Sequence, residues 1–123
     1  MDGRRRAPVF TENFSRNLDA LRLFLEPEGR AAFERLLDRL FDDIVPMLCR
    51  HSQSGRIFLQ HSIRSKEARS LARKLKTFLK KGDTLREFVV DDYLILYLHR
   101  DLQVIFLSIK HHRQLSFDLR RFW

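Results

Sequence analysis

The sequence predicts an α+β domain: an N-terminal helical hairpin and an additional basic helix packed on a C-terminal antiparallel β-meander. Two observations predict it. Apolar residues recur at helical spacing from Phe14 to Leu48 and again from Leu71 to Leu79, and three β-rich runs with very short connections fill positions 85–110. Helices first and a meander last is the order of an α+β fold, not of alternating βαβ units. At 123 residues the chain reads as one domain, 1–123.

The elements follow in order. A short strand is expected around Pro8-Val9-Phe10. Thr11 has the chemistry of an N-cap, with Glu12 favourable in the first turn of the helix that follows. Phe14, Leu18, Leu21 and Leu25 make its apolar stripe, and Pro27 ends it. A second helix from about Glu28 carries Phe33, Leu36, Leu37, Leu40, Ile44 and Leu48 on one face. So short a connection pairs the two as an antiparallel hairpin. Pro46 should kink or end the second helix, because it lacks the N–H and crowds the preceding turn. After a loop at 51–55 comes a third helix, 66–81, with Ser65 as N-cap and Gly82 as its stop.

Strands are expected at 85–90, 93–99 and 103–110, with Asp91-Asp92 and Arg100-Asp101-Leu102 as turns. Tyr93, Ile95 and Tyr97 share one face of the middle strand. Ile105, Leu107 and Ile109 are expected on one face of the last, opposite Val104 and Phe106. Both faces are apolar, so both are covered and the strands are interior. The third helix and Leu115, Phe117, Leu119, Phe122 and Trp123 are available as cover.

Composition narrows the class. Hydrophobic residues make up 44% and charged residues 33%, which suits a globular chain and not a disordered one. No apolar run approaches the roughly 20 residues needed to span a bilayer. Arg4-Arg5-Arg6 is followed by no apolar stretch of the secretory kind, and Cys49 is the only cysteine. A cytoplasmic location without membrane contact is expected. The net charge of +8 is concentrated: residues 61–81 hold eight Lys or Arg against Glu67 alone. Arg69, Arg73, Lys74 and Lys76 in that segment are candidates for binding nucleic acid or an acidic partner; the other reading is a solvated helix face.

Four features then stand in a set order: Gly55-Arg56 after the second helix, Arg86-Glu87 opening a strand, a Tyr-rich strand from Tyr93 to Tyr97, and Ile109-Lys110-His111-His112-Arg113 closing the last strand. In this order they resemble the RelE/ParE superfamily of toxins from type II toxin–antitoxin modules. The resemblance covers about half the chain, and relative to the family the basic helix at 61–82 is an insertion. It implies a toxin neutralised by a cognate antitoxin protein. In the ParE branch the implied action is inhibition of DNA gyrase without enzymatic activity; in the RelE branch it is metal-independent cleavage of messenger RNA on the ribosome. RelE-type members often have a Tyr or His near the C-terminus. Here Phe117 falls near that place, and a phenyl ring cannot exchange a proton. ParE-like action is therefore the leading expectation, with a RelE-like nuclease and a non-toxic nucleic-acid-binding module as the alternatives.

RNA cleavage without metal needs a base, an acid and cations for the phosphate. Arg86, Lys110, His111, His112 and Arg113 are the candidates for those roles, and Arg56 joins Arg86 and Arg113 as a possible target contact. Each also has a plainer reading. Strand alternation points His111 and His112 to opposite faces, leaving one packed and the other solvated. Arg86 and Glu87 belong to a cross-strand ion pair, Arg113 pairs with Asp118, Arg56 caps a carbonyl near Gly55, and Cys49 is a buried small residue. No cofactor is expected, and no metal, since no further Cys/His group stands at ligand spacing.

Overall fold

The computed structural model describes residues 5–57, 77 and 79–113. Strand β1 (Ala7–Phe10) leads into helix α1 (Glu12–Phe24), and a 3-10 turn (Glu26–Glu28) leads to α2 (Arg30–Asp38). A π-helical stretch (Arg39–Ile44) joins α2 to α3 (Val45–Arg50). Strands β2 (Arg56–Ile57), β3 (Thr84–Val90), β4 (Tyr93–His99) and β5 (Gln103–His111) complete the order. The strands form one mixed sheet in the order β1-β5-β4-β3-β2, with β1 parallel to β5 and the other pairs antiparallel. The expected meander is β3-β4-β5. The parallel addition of β1, which makes β5 interior, was not foreseen.

Helix and sheet share one core. Phe14 and Leu21 of α1, Leu36 of α2, and Leu48 and Cys49 of α3 pack with Ile95, Tyr97, Val104, Phe106 and Ile109. On the opposite face Leu85, Leu96, Leu98, Ile105 and Leu107 form a second buried cluster against which Val9 and Leu79 pack. Both sheet faces are thus covered. Apart from Thr77, Leu79, Lys80 and Lys81, the third helix lies outside the described residues, as does everything after Arg113. Among the described residues no helix is long and apolar enough to cross a membrane.

Pro46 perturbs the second helix without ending it. In a regular α-helix its ring would meet the carbonyl four residues back. The π-helical turn widens the backbone just ahead of it, with the Val45 amide bonded to the Leu40 carbonyl. The helical run then continues through Pro46 to Arg50.

One irregularity sets the phase of the last strand. The register between β4 and β5 shifts between Leu96 and Tyr97: Leu96 faces Ser108 and Tyr97 faces Phe106, so β5 holds one extra residue. Ile109 consequently joins Val104 and Phe106 in the helix-side core, while Ile105 and Leu107 stay on the other face. This corrects the simple alternation expected for β5.

Past the end of β1, the backbone of β5 is taken up by Thr11 and α1. β1 supplies partners along β5 as far as Phe106, and α1 supplies them beyond. The Thr11 amide and hydroxyl donate to the Phe106 carbonyl at 3.1 and 3.0 Å, and the hydroxyl accepts from the Phe14 amide at 3.1 Å as an N-cap. Asn13 Nδ2 donates to the Leu107 carbonyl at 2.9 Å. Asn17 Oδ1 accepts from the Ile109 amide at 3.0 Å and from the Ser108 hydroxyl at 2.9 Å. All three side chains are buried, as such bonding requires. Asn17→Ala is therefore expected to cost about 1–3 kcal/mol by stranding two buried donors. Asp19→Ala, on the exposed side of the same helix, should stay within about 0.5 kcal/mol, and equilibrium urea unfolding compares them.

Candidate functional site

The end of β5 and the β3–β4 turn meet at a groove of about 490 Å³ whose walls include Arg56, Glu87, Asp92, Tyr93, Lys110, His111 and His112. The two-residue turn makes this meeting tight. Asp91 adopts φ +52°, a left-handed conformation that Asp tolerates better than most residues. The ladder sets Tyr93 opposite His111, and the His112 amide donates to the Asp92 carbonyl at 2.8 Å.

The bulge delivers the His111 side chain to the helix side of the sheet. Its ring lies 5.1 Å from that of Phe24, meets Tyr93 edge-on at 5.2 Å, and stacks on His112 at 4.5 Å. The opposite-face placement of the two histidines is therefore wrong. His112 lies in the turn beyond the strand, where alternation no longer applies. Asp92 serves both rings, with Oδ2 4.0 Å from His111 Nε2 and Oδ1 3.6 Å from His112 Nδ1. The Arg113 amide donates to His111 Nδ1 at 3.1 Å, which leaves the neutral ring's proton on Nε2, towards Asp92. Burial, then the neighbouring His112, lowers the His111 pKa from its ordinary value.

A second constellation joins Gly55-Arg56 to Arg86-Glu87. Arg86 Nη1 donates to the Gly55 carbonyl at 2.7 Å and to the Gln53 carbonyl at 3.4 Å, and its Nε donates to Thr84 Oγ1 at 3.3 Å. Arg56 instead pairs with Glu87 at 2.9 Å across the β2–β3 ladder. The expected partners are thus exchanged: Arg86 caps the carbonyl near Gly55, and Glu87 pairs with Arg56, not with its neighbour on the strand. Tyr97 closes the arrangement, its hydroxyl accepting from the Gly55 amide at 2.9 Å and donating to the Ser52 carbonyl at 2.7 Å. A Cβ on Gly55 would lie 2.6 Å from both the Glu87 carbonyl and the Tyr97 hydroxyl, so only glycine fits.

Titratable groups anchor the loop at Ser52 and, separately, the start of β3 at Asp83. Ser52 Oγ is hydrogen-bonded to His99 Nδ1, and burial, followed by Arg6 and Arg86, lowers the His99 pKa below its ordinary 6.5. Asp83, with a side chain only 2% exposed, forms a two-pronged pair with Arg100 at 3.0 and 2.7 Å. The Arg100 hydrogen bonds hold its carboxyl below the usual range. Cys49 is buried as expected, and burial raises its thiol pKa, the opposite of what a nucleophile needs.

Of the predicted site residues, the structure brings together Arg56, Lys110, His111 and His112 and places Arg86 under the loop. Arg113 is exposed beside them. Arg69, Arg73, Lys74 and Lys76, and also Phe117 and Asp118, lie outside the described residues. Sequence reasoning missed Asp92 as the partner of both histidines. The signal was available, since a two-residue turn before Tyr93 places it beside the end of the last strand.

A helical pair over a β-meander, with a Gly-Arg and an Arg-Glu pair interlocked at the sheet edge, is the arrangement that the resemblance to RelE/ParE toxins implied. The family model described as ParE toxin of type II toxin-antitoxin system, parDE, matches residues 9–116, and the chain belongs to that family. Membership implies an antitoxin partner. No individual curated protein matches the chain.

Tyr97→Phe removes the hydroxyl that serves both the Gly55 amide and the Ser52 carbonyl. It should lower the unfolding free energy by about 1–3 kcal/mol, read from chemical denaturation with the folded chain's circular dichroism unchanged. His99 sets a pH dependence of known sign. Its folded pKa is depressed, so its contribution is full above 6.5 and is lost as pH falls through the lowered value. Asp83, also depressed, acts only below its ordinary 3.8. The thermal midpoint should therefore fall on acidification below 6.5, and His99→Gln should flatten part of that fall.

Proposed function

We propose that this toxin arrests growth by binding DNA gyrase and not by cutting RNA. The observation that supports this reading is the engagement of Arg86, the arginine a nuclease would direct at phosphate, with the Gly55 and Gln53 carbonyls. Arg56 pairs with Glu87 at the exposed rim. The nearest titratable pair, His111 and His112, is stacked over one shared carboxylate, Asp92. A general acid and a general base need to stand on opposite sides of the reacting phosphate, whereas these rings lie face to face. The antitoxin is proposed to dock an acidic segment on residues 61–81, where eight cations stand against one carboxylate.

The test is expression in bacteria with and without the product of the adjacent gene. Growth arrest with gyrase-dependent DNA breaks, relieved by that product, is the expected result. Cleaved transcripts with intact DNA would transfer the chain to the nuclease reading, and unaffected growth would remove the toxic activity itself. Replacing Arg69, Arg73, Lys74 and Lys76 by Glu should weaken neutralisation while leaving growth arrest in place. Loss of nucleic-acid binding instead would assign that segment to nucleic acid.

A further inference from the structure

We propose that Asp92, His111 and His112 form a binding site for a zinc ion, with three protein ligands and one position open to the groove. One donor atom from each residue lies within 4.8 Å of the other two. Zinc bonds of about 2.0–2.1 Å in a tetrahedron set neighbouring donors roughly 3.4 Å apart. His112 Nδ1 lies 3.6 Å from Asp92 Oδ1 and His111 Nε2 4.0 Å from Asp92 Oδ2, so a single set of one carboxylate oxygen and two ring nitrogens reaches that spacing by shifts of up to about 1.4 Å. Asp92 and His112 are exposed and can make that adjustment. His111 is the fixed member, held between Phe24 and Tyr93.

The backbone already holds the two contributing segments in place. Tyr93 faces His111 in the ladder, and the His112 amide bonds the Asp92 carbonyl, so the donors converge without ordering a loop. Two imidazoles and a carboxylate are a ligand set that zinc accepts, and three protein ligands with one open position is the pattern of a reactive or exchangeable site. The proton balance is simple. His111 carries its proton on Nε2 while the Arg113 amide donates to Nδ1. Coordination at Nε2 moves that proton to Nδ1, and the Arg113 amide, in the terminal turn, gives up its bond to the ring. The bound ion would replace two long Asp–His pairs by coordinate bonds and fasten the β3–β4 turn to the end of β5. The remaining position would open on the groove that Lys110 lines.

The proposal is independent of the gyrase reading, because binding is measured on the purified full-length chain without a tag. Calorimetric titration with zinc chloride at neutral pH is expected to show one ion per chain. Asp92→Asn and His112→Ala should each weaken binding by more than the roughly 10–100-fold that follows loss of an outer-shell partner. His51→Ala, outside the cluster, should leave it unchanged. Cobalt(II) added to the unmodified chain should give the intense visible absorption of a four-coordinate ion with imidazole ligands, a readout that needs no variant. Absence of binding, or a one-to-one isotherm unaltered by both Asp92→Asn and His112→Ala, overturns the site and leaves the cluster a solvated carboxylate–histidine pair.

Discussion

The hydrogen bonds that α1 and its N-cap Thr11 make to β5, across its bulge and beyond the end of β1, are the constraint on which the remaining geometry rests. β1 ends at Phe10, so beyond Phe106 the backbone groups on that side of buried β5 have no neighbouring strand to pair with. Left unpaired inside the core, each would cost about 1–3 kcal/mol. Thr11, Asn13 and Asn17 take them up at spacings that α1 provides, because residues 13 and 17 are one helical turn apart. The same contacts dock the helix on the sheet. They also hold the shifted phase that turns Ile109 and His111 towards the helices. Packing, docking and the orientation of the strand end thus share one set of polar residues.

The second fixed point is the interlock around Gly55. Its amide goes to Tyr97, its carbonyl to Arg86, and the space where its side chain would be is filled by the Glu87 carbonyl and the Tyr97 ring. A two-residue strand such as β2 is too short to hold itself on a sheet edge by ladder bonds alone. The Arg86 guanidinium and Tyr97 hydroxyl supply the missing attachment. The Arg56–Glu87 pair adds less, since Arg56 is 64% exposed and competes with water. The Gly-Arg and Arg-Glu pairs that carry the family resemblance are therefore, in this chain, two halves of one structural joint. In this chain their pairing is accounted for by this joint and does not require catalysis.

Much of the fold was legible because it depends on local period and punctuation. Thr11 as a cap, Pro27 as a stop and the Asp91-Asp92 turn are short-range signals, and each falls within a residue or two of the observed boundary. The bulge was not legible. Val104 to Ile109 is apolar but for Ser108, and that small hydroxyl is itself buried, so the pattern does not mark an inserted residue. The parallel pairing of β1 with β5 was hidden too, since its partners are more than ninety positions away. At the site, the clustering of Arg56 with Lys110 and the histidines was only partly foreseen. The exchange between Arg56 and Arg86 could not be read from the chain, because either guanidinium has the chemistry for either partner, and only the ladder register decides.

That register also explains why the cluster at the end of β5 carries different chemistry from the joint at Gly55. The core of the joint is built from backbone groups, the Arg86 guanidinium and the Tyr97 hydroxyl, so its bonding persists across the range in which carboxylates and imidazoles titrate. The cluster is built from one carboxylate and two imidazoles on three residues, two of them exposed, so its internal bonding is long and exchangeable. A protein that must hold its fold while meeting a partner places its strong, saturated contacts inside and its adaptable donors at an exposed rim. Here the bulge makes that separation. It brings His111 against Phe24 and Tyr93 at the sheet's end, and it leaves His112 and Asp92 outward as the members free to rearrange around an ion or a partner group.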